Sequence, residues 1–196
     1  MKRKQIFDMV LCALCAALTC ILAPLSIPSY NPEVPISLAT FAVLIAGGLL
    51  SPRYALLSQV LYLLLGLAGL PVFSGFLGGF GIFARPSAGY IFGYVLMAWL
   101  ESLIFQIWGK NRKSLAARTG LLILAMAAGT ATCYILGTIW FLLMMGTPLW
   151  TALVSCVIPF LPGDVLKIIV AALLVPQISR ACQMASGKEI SAEENG

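Results

Sequence analysis

Long apolar runs separated by short polar segments restrict what this chain can fold into more than any other feature. Of its 196 residues, 61% are hydrophobic and only 10% are charged, whereas soluble domains are roughly a quarter charged. A helix needs about 20 apolar residues to cross a hydrocarbon core of about 30 Å. The sequence therefore predicts an all-α integral membrane protein that lies in a lipid bilayer and has no soluble domain.

Six apolar runs bounded by proline, glycine or charge predict six transmembrane helices. The predicted spans are residues 5–24, 34–50, 53–70, 87–108, 118–144 and 162–180. They form one membrane domain over residues 1–180, followed by a polar cytoplasmic tail over 181–196. The basic start and first apolar run also suit a signal peptide, but the run is long enough to span the membrane. We therefore interpret it as a retained first helix.

Most basic residues fall on one side of this arrangement. If the N-terminus is cytoplasmic, the cytoplasmic segments hold ten of the twelve basic residues, namely Lys2, Arg3, Lys4, Arg53, Lys110, Arg112, Lys113, Arg118, Arg180 and Lys188. The first outer loop holds only Glu33. The positive-inside rule then places both termini in the cytoplasm of a cell-membrane protein. The net charge of +5 reflects this orientation, so no nucleic-acid partner is needed to explain it.

The stretch "PFLPGDVLKII" (residues 159–169) holds the only two charged side chains between residues 118 and 180. Proline and glycine interrupt the chain here, so the last helix is predicted to begin near Pro162. Asp164 then lies in the first turn, where the helix dipole favours a negative charge. Lys167 follows one turn deeper on the same face.

Alternatives stay open for this stretch. If the last helix begins near Trp150, the pair lies at mid-membrane on a kinked helix; otherwise residues 147–161 form an outer lid or a short, partly inserted helix. The pair could be purely structural, but an internal ion pair has no stability advantage over two apolar residues of similar size. Charges inside a membrane usually face a cavity, a pathway or a partner. We therefore predict that Asp164 and Lys167 contact a ligand.

Arg85 lies near the end of the glycine-rich connection at residues 71–90. Its side chain could snorkel to lipid headgroups, but its planar fork of donors also suits a ligand carboxylate. Its predicted depth matches that of Asp164, so the three charges are predicted to line one pocket that opens to the outside. The predicted apolar walls of this pocket are Phe73, Phe80, Tyr90 and Phe160.

Glycine is concentrated in the same region, at positions 75, 78, 79, 81, 89 and 93. Small residues let helices approach closely in lipid. Non-helical backbone at membrane depth is tolerated where protein buries it or where it lines a cavity. These glycines are therefore predicted to serve helix packing, or to form a cap over a bound ligand.

The remaining features favour packing over chemistry. Two of the six cysteines have C-x-x-C spacing, but histidine is absent and the cysteines lie mostly in apolar runs, where they act as small hydrophobes. No phosphate loop, zinc motif or activated nucleophile is present, so we predict no catalytic residue and no metal site.

Glu101 is expected to pair with the nearby basic loop. Ala13 and Ala17 form a small-x-x-x-small pattern suited to internal packing or to docking on another membrane protein.

Three stretches of the sequence resemble the BioY family, the biotin-binding S components of energy-coupling factor (ECF) vitamin transporters. They are "GLPVFSGFLGG", "RPSAGYIFGYV" and "PFLPGDVLKIIVAALL", and the likeness runs over residues 34–175. The resemblance implies an ECF S-component-like fold of six membrane helices that captures biotin from outside and binds no cofactor. It also implies a transmembrane coupling subunit and two cytoplasmic ATPase subunits, so that this chain is not itself an enzyme.

The resemblance assigns roles to particular residues. Asp164 and Lys167 are implied to lie in the biotin site, and Ala13, Ala16 and Ala17 to dock on the coupling subunit. Biotin offers two ureido N–H donors, a carbonyl, a thioether ring and a carboxylate. An aspartate can accept from the N–H groups, and either Lys167 or Arg85 can take the carboxylate.

The sequence departs from the family at two places. The family motif "GPTGGY" reads "RPSAGY" here, so that Arg85, Ser87 and Ala88 are atypical of the family, and "VPITLQT" reads "VPISLAT", with Ala39 in place of a polar residue. The alternatives are an S component for another vitamin, an intramembrane enzyme that uses Asp164 as acid or base, and a structural subunit of an assembly.

Overall fold

The computed structural model describes residues 3–27, 34–109 and 114–185, and within them the fold is almost entirely helical. Its α-helices are α1 (Arg3–Leu22), α2 (Ala39–Leu49), α3 (Pro52–Leu67), α4 (Ala88–Gly109), α5 (Leu115–Met145), α6 (Leu149–Cys156) and α7 (Leu161–Ala185). A two-stranded ribbon, β1 (Ser26–Ile27) and β2 (Ile36–Ser37), precedes α2. A short 3₁₀ helix (Phe80–Ala84) precedes α4.

Four of these helices are long and apolar enough to cross a membrane, namely α1, α4, α5 and α7. The apolar helices α2 and α3 are shorter, with 11 and 16 residues. At about 1.5 Å per residue, α2 rises only about 16 Å, roughly half of the hydrocarbon core. The predicted all-α membrane architecture is confirmed, and two of the six predicted spans are occupied by these shorter helices.

The last part of the chain differs from the expected pattern at both ends of α7. The short helix α6 occupies most of the predicted lid segment. Residues 157–160 are not helical and separate α6 from α7, which begins at Leu161. The last helix therefore does not begin near Trp150. At its other end α7 continues through Ala185, so the first five residues of the predicted tail, 181–185, are helical.

Several expectations concern residues outside the described ranges. These are the remainder of the predicted tail, residues 186–196, and the charged residues Lys2, Glu33, Lys110, Arg112, Lys113 and Lys188.

The most extensive contact between two helices is formed by α4 and α5, and glycine allows their close approach. A Cβ atom on Gly93 would lie 2.9 Å from the Sγ and 3.1 Å from the Cα of Cys133. A Cβ atom on Gly89 would lie 2.9 Å from the carbonyl oxygen of Leu136. Since small residues permit such close backbone approach in lipid, these two glycines serve helix packing, which was one of the two predicted roles.

The ribbon and the glycine-rich loop bring chain segments together at one end of the helices. Ser26 pairs with Ser37 across the ribbon, and the Ser37 hydroxyl donates to the Ala23 carbonyl at 2.8 Å. In the loop, the Gly75 N–H donates to the Pro24 carbonyl at 3.3 Å, and the Gly79 N–H donates to the Gly66 carbonyl at 2.7 Å. These bonds hold the loop against the ends of α1 and α3.

Candidate functional site

A cavity of about 430 Å³ lies among α2, α4, α5 and α7, bordered by the ribbon and the glycine-rich loop. Its volume falls in the range of about 300–1,000 Å³ that is usual for small-molecule sites. The apolar side chains that line it are Val34, Pro35, Leu77, Ile82, Ile91, Cys133 and Phe160. The polar ones are Ser26, Ser37, Thr40, Ser74, Arg85, Ser87, Tyr90, Tyr94, Thr130, Tyr134, Asp164 and Lys167.

Asp164 and Lys167 form an ion pair in this cavity, with 2.8 Å between Nζ and Oδ1. Both side chains are largely buried, at 5% and 12% exposure respectively. The ammonium group also donates to the Ser37 carbonyl at 2.7 Å and to Thr40 Oγ1 at 2.9 Å. All three protons of the Lys167 ammonium group therefore have acceptors.

Two hydroxyl groups also bond to the Asp164 carboxylate. The Thr40 hydroxyl donates to Oδ1 at 3.2 Å, and the Tyr134 hydroxyl donates to Oδ2. Sequence reasoning missed both residues. Each residue carries a hydroxyl group in an otherwise apolar helical run, and this was the signal available in the sequence. The signal is weak, because hydroxyl groups in helices often bond only to the backbone of their own helix.

Arg85 lines the cavity, but its side chain is exposed, whereas Asp164 is buried. The two charges therefore differ in burial, although both line the predicted common pocket. The loop around Arg85 is held to α5 because the Trp140 Nε1–H donates to the Arg85 carbonyl at 3.2 Å. In the described part of the chain, no carboxylate forms an ion pair with the Arg85 guanidinium.

Ser74 is a further polar group at the cavity that sequence reasoning missed. Its hydroxyl oxygen is buried and has no hydrogen-bond partner among the described residues. Buried polar groups nearly always have a partner, so this hydroxyl is available to a ligand. The adjacent Gly75 also lines the cavity, with a φ of 73°, so the glycine-rich loop contributes directly to the site.

The aromatic residues divide into two groups. Tyr90 and Phe160 line the cavity as predicted, and the Tyr90 hydroxyl donates to the Cys156 carbonyl at 3.1 Å, which joins α4 to α6. Phe73 and Phe80 do not line it, so their assignment as walls was wrong.

Their positions follow from local packing. Phe73 is fully buried against α3, edge-on to Tyr62 with 5.6 Å between ring centroids. Its ring fills the space left by Gly66, where an added Cβ would collide with it. Phe80 is 71% exposed, and its ring centroid lies 6.2 Å from that of Phe83.

The structure also separates the three alanines of α1. Ala13 and Ala17 are exposed on the outer face of the helix, but Ala16 is only 1% exposed and packs inward. Because its side chain is buried, Ala16 adds no exposed surface to the face of α1 that carries Ala13 and Ala17.

Glu101 is fully buried in α4, and neither carboxyl oxygen has a hydrogen-bond partner among the described residues. An added Cβ on Gly47 would lie 2.6 Å from its Cδ. The expected pairing with Arg118 does not form; that guanidinium lies 5.7 Å from the ring centroid of Phe105 instead. The rest of the basic loop, residues 110–113, lies outside the described ranges.

Comparison with known proteins gives consistent matches over most of the chain. The model of the BioY family matches residues 1–184. The probable biotin transporter BioY of Bacillus subtilis is 35% identical over 182 residues, which cover 92% of this chain and 94% of that protein. The biotin transporter BioY of Rhizobium etli is 34% identical over 171 residues, covering 85% and 90%.

A solved structure is also similar to this fold. It is the crystal structure of the S-component for biotin from an ECF-type ABC transporter, which superimposes with a TM-score of 0.80 at 28% sequence identity. The match covers 92% of this chain and 94% of that one.

Proposed function

This chain belongs to the BioY family, and on that premise we propose that it is the biotin-binding S component of an ECF transporter. The resemblance predicted from the sequence is confirmed by the family match and by relatives named as biotin transporters. A protein of this kind is a membrane transport component and not an enzyme. The observation that carries the proposal is the membrane-domain cavity with a buried Asp164–Lys167 pair.

The Asp164–Lys167 network is suited to the ureido end of biotin. A carboxylate offers about four acceptor positions, and three at Asp164 are taken by Lys167, Thr40 and Tyr134. One position is left for a ureido N–H. The ureido carbonyl can take an ammonium proton from Lys167 in exchange for the Ser37 carbonyl, because both acceptors are neutral amide-type oxygens.

Arg85 is suited to the opposite end of the ligand. The Lys167 ammonium is already neutralised by Asp164 at 2.8 Å, so a second carboxylate beside it would face the charge of the first. The Arg85 guanidinium has no ion-pair partner in the described residues, and its fork of donors matches a carboxylate bidentately. The ligand then lies with its ring system deep in the cavity and its carboxylate towards the exposed rim.

The cavity and the basic residues support the direction of capture. The cavity lies at the start of α2, α4 and α7, whereas Arg53, Arg118 and Arg180 lie at the other ends of the helices. With basic residues facing the cytoplasm, the cavity faces outward, six helical segments cross the plasma membrane, and both termini are cytoplasmic. A coupling subunit and two ATPase subunits would supply ATP hydrolysis, and the exposed Ala13 and Ala17 face of α1 would contact the former.

The direct test is biotin binding by the purified full-length protein in detergent. We expect saturable binding with one site per chain, measured by calorimetry, and biotin among the small molecules extracted from the purified protein. Asp164→Asn and Lys167→Ala are each expected to weaken binding at least about tenfold, or about 1.4 kcal/mol. Clear binding of a different vitamin without binding of biotin would overturn the ligand assignment and leave the transporter class intact.

A further inference from the structure

A second cavity lies at the opposite ends of the same four helices. Its volume is about 360 Å³, and it is bordered by the C-terminal ends of α2, α4 and α7 and the N-terminal end of α5. On α7, Pro176 in this cavity is nine residues beyond Lys167 in the first one, a rise of about 13 Å along the helix. The two cavities share no lining residue.

Two guanidinium groups line this inner cavity, from Arg118 on α5 and Arg180 on α7. The acidic residues in the described part of the chain are Asp8, Glu101 and Asp164. Asp164 is paired with Lys167, Glu101 is fully buried, and Asp8 lies on α1, which does not border the cavity. Within the described residues, two positive charges therefore converge on one cavity without a carboxylate to balance them.

The surroundings of the two arginines favour an anion that also carries an apolar chain. The cavity lies at the N-terminal end of α5, a 31-residue helix whose first free N–H groups carry partial positive charge. The Thr119 side chain adds a hydroxyl group at the same end. Leu122, Val175 and Met184 form an apolar wall beside these polar groups.

We propose that this inner cavity is a binding site for an anionic phospholipid, with its phosphate between Arg118 and Arg180 and an acyl chain along the apolar wall. Two guanidinium forks on separate helices can each bond a phosphate bidentately. Basic pockets between membrane helices on the cytoplasmic side are suited to acidic headgroups. A lipid bound there joins α5 to α7 at the end remote from the first cavity.

The test measures lipid retention by native mass spectrometry on the full-length protein, with phosphatidylglycerol and zwitterionic phosphatidylcholine offered in equal amounts. We expect one phosphatidylglycerol per chain to be retained in preference to phosphatidylcholine. Arg118→Gln and Arg180→Gln are each expected to weaken this retention by about tenfold, because each removes a charge-assisted contact. The matched control is Arg53→Gln, since Arg53 is an exposed arginine at a helix start that lines neither cavity.

Further measurements distinguish a bound phospholipid from other occupants of the inner cavity. Unchanged biotin binding and thermal unfolding in both variants would show that the fold and the first cavity are intact. Equal loss of lipid in Arg53→Gln would overturn the proposal in favour of general surface attraction. Displacement of the lipid by inorganic phosphate at the same concentration would assign the cavity to a soluble anion. A last variant replaces Glu189, Glu193 and Glu194 by glutamine. If phosphatidylglycerol is retained only in this variant, the inner cavity binds the chain's own C-terminal residues and not a lipid.

Discussion

At the scale of single residues, the cavity combines a network of mutually bonded polar groups with polar groups that have no partner in the described part of the chain. Asp164 and Lys167 are coordinated by each other and by groups from α2 and α5. Arg85 and Ser74, by contrast, present uncommitted polar groups to the same cavity. Burial of an unsatisfied group such as the Ser74 hydroxyl costs about 1–3 kcal/mol, and the exposed Arg85 guanidinium can form charge-assisted bonds with a carboxylate, so a ligand that satisfies both gains affinity at two separate positions.

This division predicts that Arg85 and Asp164 recognise different parts of the ligand. Arg85→Gln should weaken binding of biotin by about tenfold but leave binding of biotin amide, which has no negative charge, almost unchanged. Asp164→Asn should weaken binding of both compounds, because both contain the ureido ring. Calorimetric titration of the two compounds into each variant measures this, and an equal loss for both compounds in Arg85→Gln would contradict the assignment.

A second residue-scale prediction concerns Thr40, whose hydroxyl accepts from Lys167 at 2.9 Å and donates to Asp164 at 3.2 Å. Thr40→Val keeps the shape but removes both bonds, so we expect biotin affinity to fall several-fold and stability to fall by about 1–3 kcal/mol. Thr132→Val is the matched control, because the Thr132 hydroxyl bonds only the Ala128 carbonyl of its own helix. Affinity and thermal unfolding should be close to wild type in the control, and equal losses in the two variants would argue against a specific network.

At the scale of elements, the position of the cavity depends on how closely α4 and α5 approach. Gly89 and Gly93 on α4 lie against backbone atoms of α5, and α5 carries Tyr134 and Thr130 to the cavity wall. The long helix α5 ends where Gly146 adopts a φ of 63° and its N–H bonds the Leu142 carbonyl. This left-handed cap suits glycine and turns the chain towards α6.

Gly93→Ala is therefore expected to destabilise the protein. Its new methyl group would lie 3.1 Å from the Cα of Cys133, and overpacking of this kind typically costs about 1–3 kcal/mol. Gly120→Ala on α5 is the matched control, because an added Cβ there meets nothing within 4 Å. Thermal unfolding in detergent should show a lower midpoint for Gly93→Ala only; equal midpoints would show that α4 and α5 can separate without cost.

At the scale of the whole molecule, the two cavities and the outer face of α1 are spatially distinct. The first cavity, which is the proposed ligand site, lies at one end of the helices, and the inner cavity lies at the other end. The exposed face of α1 lines neither cavity and includes Ala13, Ala17 and the large apolar side chains Met9, Val10 and Leu14. A partner subunit can therefore contact α1 without touching the ligand.

Replacing both exposed alanines by leucine, in Ala13→Leu and Ala17→Leu together, should weaken assembly with the coupling and ATPase subunits. The added volume prevents close helix approach, whereas biotin binding by the isolated protein should stay unchanged. Ala127→Leu on α5 is a control that changes an exposed alanine elsewhere. Co-purification of the complex, together with biotin titration, measures both effects. Normal assembly in the double variant would place the docking surface on another helix.

Much of the architecture could be predicted from the sequence because its signals are local. Hydropathy identified the membrane class, and the proline and glycine before Asp164 predicted a helix start within one residue of Leu161. The aromatic walls could not be predicted in this way. Phe73 and Phe80 lie in the same glycine-rich connection, yet one is buried against Gly66 and the other is exposed.

The sequence by itself determined a helical membrane domain, its family, and the Asp164–Lys167 pair, since an i,i+3 spacing on a helix settles that two side chains share a face. Only the tertiary structure decided what surrounds the pair. The Ser37 carbonyl and Thr40 reach Lys167 across 130 and 127 residues of chain, and no local pattern encodes a contact at that separation. Whether a polar group in the cavity is satisfied or free depends on which distant helices pack beside it. That packing leaves the Arg85 guanidinium and the Ser74 hydroxyl without a partner among the described residues, while it supplies Asp164 with three donors.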